Sequence, residues 1–161
     1  MLPTPRALSM LALMALSSFT AERYTGPRPP KTDIPYLMHA DNLLEPEKGV
    51  AKTDTRKDST FAVLTGANSP VKTPLAEPIF IIQTEKLQAE KFELYRVTAK
   101  GGNREVLINH KNPKHLARPV HLAITRLDER LYRIEIDEPL EIGEYTLTPQ
   151  GSDDTFSFAI Y

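Results

Sequence analysis

The sequence predicts an all-β protein folded as an antiparallel sandwich, and three observations support this prediction. From residue 60 onward, short apolar runs alternate with turn residues. Several runs, for example Tyr132, Ile134 and Ile136, place apolar side chains at every second position, which is typical of a strand with one buried face. No long stretch after residue 21 shows the apolar period of about 3.6 residues that marks an amphipathic helix.

The spacing of the apolar runs predicts about eight strands over roughly 100 residues, as expected of a sandwich. The predicted strands cover residues 61–64, 79–82, 92–98, 105–109, 120–124, 132–136, 145–147 and 156–160. Residues 79–82 are apolar on both faces, so this strand is predicted to lie centrally in its sheet. Gly101 and Gly102 predict a tight hairpin turn, because glycine readily adopts positive φ. The helix-like segment 85–94 is predicted to form one turn of helix between two strands.

The segment before the predicted strands is polar, rich in proline and poor in aliphatic residues. Residues 26–31 favour extended polyproline geometry. We therefore predict a largely irregular arm or linker over residues 22–59 and a sandwich domain over residues 60–161. A short apolar patch in the arm is predicted to contact a partner protein or a second copy of the chain, and packing against the sandwich is the alternative. The patch consists of Ile34, Tyr36, Leu37 and Met38.

Residues 1–21 are predicted to be a signal peptide. The apolar run at residues 7–19 is shorter than the roughly 20 residues that a membrane-spanning helix needs, and it suits the core of a signal peptide. A buried or anchoring helix is the alternative. Because no cysteine follows the run, a lipoprotein anchor is excluded. No membrane span is expected after the signal is removed.

Composition excludes several kinds of site. The chain has no cysteine, which excludes a disulfide, a thiol nucleophile and a cysteine-based metal site. Charge is nearly balanced, with 20 basic against 21 acidic residues. Binding to nucleic acid or to an anionic membrane needs a basic surplus on one face, so neither is predicted.

Gly143, Tyr145 and Leu147 follow Glu141 at two-residue spacing, between two apolar strands. This pattern resembles the tyrosine corner of immunoglobulin-like β-sandwiches, over about residues 120–161. The resemblance implies a buried Tyr145 ring whose hydroxyl bonds to backbone a few residues upstream. It also implies an immunoglobulin-like antiparallel sandwich of about seven to eight strands, with an extended Pro-rich N-terminal arm. Segments 24–39 and 143–149 are similar to exported bacterial proteins of unknown function, which implies no activity.

A basic, histidine-containing loop is the strongest candidate for a ligand site. Its charged and titratable residues are His110, Lys111, Lys114, His115 and Arg118. Such a patch suits phosphate or carboxylate, and a solvated loop is the alternative. Imidazoles also suit zinc, copper or nickel, but the three fixed positive charges would repel a metal cation. The sequence therefore predicts weak anion binding here and no metal site.

Catalytic motifs are missing from the sequence. The carboxylates between residues 128 and 144 alternate with core residues or lie in turns, so they belong on a solvent face rather than around a sugar cleft. Asp153 and Asp154 suit either calcium or an ordinary turn. There is no Ser-centred elbow, phosphate loop or metalloprotease helix motif. We predict neither enzymatic activity nor a cofactor.

The sequence thus predicts an exported, non-enzymatic structural or protein-interaction module, located in the periplasm or outside the cell. Binding of a protein partner or of a second copy is expected through the N-terminal arm. The alternative is a protein that binds a small ligand or ion through residues 110–118.

Overall fold

A computed structural model describes residues 22–161 of the chain. The described part is all-β, with two 3-10 helices of three residues each as its only helical pieces. In chain order, its strands are β1 (Tyr36–His39), β2 (Asn42–Leu44), β3 (Glu47–Val50), β4 (Lys52–Arg56), β5 (Ser59–Thr65), β6 (Lys72–Thr73), β7 (Ile79–Gln83), β8 (Phe92–Lys100), β9 (Asn103–His110), β10 (Leu122–Asp128), β11 (Leu131–Ile136), β12 (Gly143–Pro149) and β13 (Asp154–Ile160). The signal peptide predicted at residues 1–21 lies outside the described residues.

The strands form two sheets, which confirms the predicted sandwich class. A five-stranded front sheet has the order β10-β11-β7-β1-β2, and all its pairs are antiparallel. An eight-stranded rear sheet has the order β3-β13-β12-β8-β9-β5-β4, and β6 adds to β13 in parallel. Strand β7 lies in the middle of the front sheet with Phe80, Ile81 and Ile82 buried, so the predicted central strand is confirmed.

The main core fills the space between the two sheets. Every second residue of β7, β12 and β13 points into it, as the period of two requires. The Phe80 and Phe158 rings lie 5.1 Å apart between centroids, and Tyr145 stacks on Phe158 at 5.8 Å. These rings join the front sheet to the rear sheet, so without a disulfide the sheets are held together by packing alone.

The start of β12 is fixed by a buried tyrosine hydroxyl. Tyr145 is buried, and its hydroxyl donates a 2.9 Å hydrogen bond to the carbonyl oxygen of Glu141. Arg96 lies over the Tyr145 ring, contacts the Glu141 carboxylate and donates to the Ile142 carbonyl at 3.1 Å. Leu147 is fully buried one pleat further along β12. The hydrogen bond therefore holds the turn before β12 against the strand.

The eight strands predicted after residue 60 are all present, and Gly101 and Gly102 join β8 to β9 with φ of +58° and +79°. The helix-like segment forms the 3-10 helix Ala89–Lys91. Within the arm or linker predicted at residues 22–59, residues 22–35 contain no strand, but residues 36–56 form β1 to β4, which the sequence did not predict. Strands β3 and β4 are short and mostly polar, so they carry no periodic apolar signal.

The segment before β1 is attached to the front sheet through Asp33. Its backbone N–H donates to the Gln83 carbonyl at 2.8 Å, and its carboxylate accepts backbone hydrogen bonds from Glu85, Lys86 and Leu87 at 2.8–3.1 Å. Burial alone would raise the pKa of Asp33, but these hydrogen bonds outweigh it, and the pKa lies below its ordinary value. The chain entering β1 is therefore held in place by charge-assisted bonds.

The rear sheet rolls back on itself. Strands β3 and β4 lie at its opposite edges, yet only Ala51 separates them in the chain. Consecutive Cα atoms are about 3.8 Å apart, so the two edges must meet at this residue. Strand β8 pairs with β12 over residues 92–97 and with β9 only over residues 98–100. Strands β8 and β9 therefore diverge over most of their length. Because they diverge, β9, β5 and β4 can fold over the outer face of β8, β12 and β13. A second, smaller core forms there around Leu64, Val97 and Val106.

Replacing Tyr145 by phenylalanine removes the hydroxyl that bonds Glu141 and leaves a carbonyl without its partner. We expect Tyr145→Phe to lower the free energy of unfolding by about 1 to 3 kcal/mol in urea titrations. Tyr161→Phe is the matched control, because Tyr161 is 64% exposed. A loss within about 0.5 kcal/mol for Tyr145→Phe, as is usual for surface sites, would contradict the structural role of the hydroxyl.

Candidate functional site

A cleft with a volume of about 170 Å³ lies behind the main sandwich, between the folded-over strands and the outer face of β8, β12 and β13. We call it the rear cleft. Its walls are mainly apolar, and its lining includes Ala51, Ala62, Leu64, Tyr95, Val106 and Ile108. The two-residue period of a strand explains which side chains of β8 and β12 line the cleft. Leu94, Tyr145 and Leu147 point into the main core, so the alternating residues Tyr95 and Thr146 face the rear cleft.

The polar groups of the rear cleft are mostly engaged with one another. The Thr148 hydroxyl donates to the Asp154 carbonyl at 2.8 Å, and the Ser157 hydroxyl donates to Thr146 at 3.1 Å. The Tyr95 hydroxyl donates to Oε2 of Glu93 at 2.9 Å. Burial raises the pKa of Tyr95 to about 12, with help from this hydrogen bond and from the charge of Glu93. The hydroxyls of Thr148 and Tyr95 are therefore bonded within the chain, whereas those of Ser152 and Thr155, which also line the cleft, donate no hydrogen bond to the described residues.

The charges around the rear cleft have one sign. Glu93 and Asp153 both line it, and among its described lining residues there is no lysine, arginine or histidine. Oε2 of Glu93 is used by Tyr95, whereas Oε1 accepts no hydrogen bond from the described residues. The cleft thus combines apolar walls with negative charge.

Arg104 lies on β9, next to the rear cleft. Its side chain is only 1% exposed and is paired with both carboxylate oxygens of Glu47, at 2.8 and 2.9 Å. Its other donors reach the carbonyls of Thr65 and Gly66, both at 2.9 Å, and Glu144 at 3.5 Å. A separate cavity of about 110 Å³ lies beside it. Because its donors are engaged within the chain, Arg104 holds the structure together instead of serving as an anion site.

The apolar patch predicted to contact a partner is instead part of the core. Ile34, Tyr36 and Leu37 are 6%, 2% and 0% exposed, and Met38 is partly buried. The contact prediction is therefore wrong for these side chains in the folded chain. The physical reason is that β1 pairs with both β7 and β2 inside the front sheet, so its apolar residues are needed for the main core.

The basic loop connects β9 to β10 and fills the wedge between β9 and β8. Ala117 N–H donates to the Leu107 carbonyl of β9 at 3.2 Å, and Val120 N–H donates to the Leu94 carbonyl of β8 at 2.8 Å. The basic loop therefore has a structural role, whether or not it also binds an anion.

The structure brings together only some of the residues predicted for anion binding. The rings of His110 and His115 lie 4.8 Å apart, whereas Lys111 pairs with Asp58 at 2.7 Å. Lys114 and Arg118 are exposed and form no ion pair with the described residues. No group of three or more potential metal ligands is found in residues 22–161. Anion binding by this loop stays a prediction.

A second candidate surface is the outer edge of β10. Within the part of the chain that the structure describes, no strand pairs with this edge. Beside it runs an open groove of about 350 Å³, which we call the edge groove. Its lining includes Phe92, Val120, Leu122, Ile124, Glu90 and His121. An unpaired strand edge beside an apolar groove is the arrangement that proteins use to bind extended segments.

Comparisons with known proteins return no significant match to a family model, to a curated protein or to a solved structure. Among residues 22–161, no helix has the length and apolar character needed to cross a membrane. The sites must therefore be judged from their own geometry.

The sequence reasoning missed Glu93, Tyr95 and Arg104 as neighbours of a cleft. One signal was available: Arg104 shares the two-residue period of Val106 and Ile108, so it lies on the inward face of its strand. A charged residue at such a position needs a buried partner. The partner, Glu47, is 57 residues away in a segment without strand signals, so periodicity could not supply it.

The raised pKa of Tyr95 predicts a specific loss of stability in alkali. A folded pKa of about 12, against about 10 in the unfolded chain, gives stability that is complete below pH 10 and lost as pH rises towards 12. We expect Tyr95→Phe to flatten the fall of the unfolding free energy between these values, whereas the exposed Tyr161→Phe leaves it unchanged. Equal slopes for the wild type and Tyr95→Phe would contradict the burial of this hydroxyl beside Glu93.

Proposed function

We propose that this chain is an exported, non-enzymatic interaction module with an immunoglobulin-like sandwich, which binds an extended segment of another protein along β10. The observation that carries the proposal is the free outer edge of β10 beside the edge groove. A strand added there would gain backbone hydrogen bonds from the edge and side-chain contacts from the groove.

The strand order supports an immunoglobulin-like sandwich. In that fold, strands A, B, E and D form one sheet and C, F and G form the other. Reading β1, β7, β8, β10, β11, β12 and β13 as A to G in chain order gives the sheet orders A-B-E-D and C-F-G. Strands β2 to β6 are then an insertion between A and B, and β9 extends the second sheet beyond C. The Tyr145 bond to the backbone before β12 corresponds to a tyrosine corner at strand F.

Within residues 22–161, the edge strands of the two sheets differ in how strongly they resist pairing. They are β2 and β10 in the front sheet and β3, β4 and β6 in the rear sheet. Strands β2, β3 and β6 are only two to four residues long, and β4 carries Lys52, Asp54 and Arg56. Short or charged edges oppose the addition of a strand. By contrast, residues 122–125 of β10 are uncharged, and Leu122 and Ile124 among them are packed against the main core. Of these edges, β10 is therefore the one best suited to receive a partner strand.

Export is supported by the sequence alone, through the apolar run at residues 7–19. In the Pro-rich segment and the strand that follows it, the apolar side chains of Ile34, Tyr36 and Leu37 are buried, so they are not available to a partner. The Asp33 bonds and the burial of β1 hold that segment against the front sheet.

Site-specific photo-crosslinking in the native host tests the β10 proposal. A photoreactive phenylalanine analogue at Thr125, which is exposed on β10, is expected to give a discrete adduct with another protein. The matched position is Thr53, which is exposed on the charged edge strand β4 and is expected to give none. Adding a charge to the edge with Ala123→Lys should reduce the Thr125 adduct by about tenfold.

Mass spectrometry of the adduct identifies the attached segment. A partner attached through an extended stretch, with the adduct lost in Ala123→Lys, supports strand addition. Equal labelling from Thr125 and Thr53, or no adduct from Thr125 in cells that contain the folded protein, would contradict the proposal.

A further inference from the structure

We propose that the rear cleft binds a small organic cation with an apolar body, such as a primary alkylamine. The inference concerns a different cavity from partner binding at β10, although Glu93 lines both the rear cleft and the edge groove. It rests on the juxtaposition, within one cleft, of an apolar wall and two carboxylates, with no basic side chain among the described lining residues.

The size of the rear cleft sets the size of the apolar body. Its volume of about 170 Å³ is comparable to that of an engineered cavity of about 150 Å³ that takes benzene. The cleft therefore suits one ring or a chain of about six carbons. Ala51 and Ala62 provide this space, because larger side chains at these two positions would fill it.

The charge of the rear cleft selects the head group. Glu93 and Asp153 are both in its lining, and the structure places no basic side chain among the described lining residues. An ammonium group beside Glu93 would reach the oxygen that Tyr95 leaves unused. A carboxylate or phosphate would meet like charge at the same place, which is unfavourable.

The hydrogen-bonding state of the floor also disfavours an anion. Of the lining hydroxyls, Thr148 already donates to the Asp154 carbonyl and Tyr95 to Glu93, which leaves Ser152 and Thr155 as the hydroxyls without a bonded acceptor among the described residues. Arg104, the nearest buried cation, is fully occupied by Glu47 and by two carbonyls. An anion would therefore find no free donor on Thr148, Tyr95 or Arg104, whereas a cation needs only acceptors.

Three ligands of equal chain length separate these effects: hexylamine, 1-hexanol and hexanoate. In isothermal titrations at pH 7, we expect hexylamine to bind at least about tenfold more tightly than hexanoate, with 1-hexanol between them. Chemical-shift changes should concentrate on Ala62, Tyr95 and Val106, which line the cleft. Hexanoate binding as tightly as hexylamine, or no binding of any of the three at millimolar concentration, would overturn the proposal.

Variants of the cleft test its place and its charge. Glu93→Gln should weaken hexylamine about tenfold and leave 1-hexanol unchanged, whereas Glu90→Gln, outside the cleft lining, should change neither. Ile108→Trp should block all three ligands, and it carries little risk to folding because Ile108 is 49% exposed. Hexylamine binding that survives Ile108→Trp, or that is equally weakened by both glutamine variants, would place the amine elsewhere and overturn the proposal.

Discussion

The buried pairing of Arg104 with Glu47 is the interaction on which the rear half of the molecule depends. A guanidinium that is 1% exposed has lost its hydration, so each of its donors needs a partner within the chain. These partners come from β3, from the end of β5 and the residue after it, and from β12. One side chain on β9 thereby holds together strands that are distant in sequence, and it keeps the rolled sheet closed.

Closure of the rear sheet gives β8, β12 and β13 two buried faces. One face carries Leu94, Tyr145, Leu147 and Phe158 into the main core. The other face is smaller and more polar, with threonine and serine hydroxyls bonded to one another and to backbone. The rear cleft is therefore built on the central strands of the sheet, and such strands hold a site more rigidly than a loop does. Much of its apolar wall is supplied by β5 and β9, so the strands that fold over the rear sheet also form the cleft.

The sequence was sufficient wherever a strand has a clear apolar period. Strand β5 and the strands from β7 onward followed from residue spacing, and the backbone bond of Tyr145 followed from the resemblance of its turn to a tyrosine corner. Strands β3 and β4 could not be predicted, because polar edge strands have no apolar period. The apolar residues of β1 were correctly singled out, but their burial was assigned to a partner protein. The sequence pattern shows that Tyr36 and Leu37 must be buried, but it does not show which surface buries them. The rear cleft was missed for a related reason: its walls come from strands that are distant in the sequence, and residue periodicity does not show which strands meet.

A double-mutant cycle between Arg104 and Glu47 tests this account most directly. Arg104→Met, Glu47→Gln and the double variant would be compared by urea unfolding, with amide exchange followed in β5 and β7. The account predicts a coupling energy of about 2 kcal/mol or more, because Glu47→Gln leaves the buried Arg104 guanidinium without its countercharge and Arg104→Met leaves the partly buried Glu47 unpaired. It also predicts that both single variants expose the amides of β5 while those of β7 stay protected. Additive effects within about 0.5 kcal/mol, with unchanged exchange in β5, would contradict the claim that this pair closes the rear sheet.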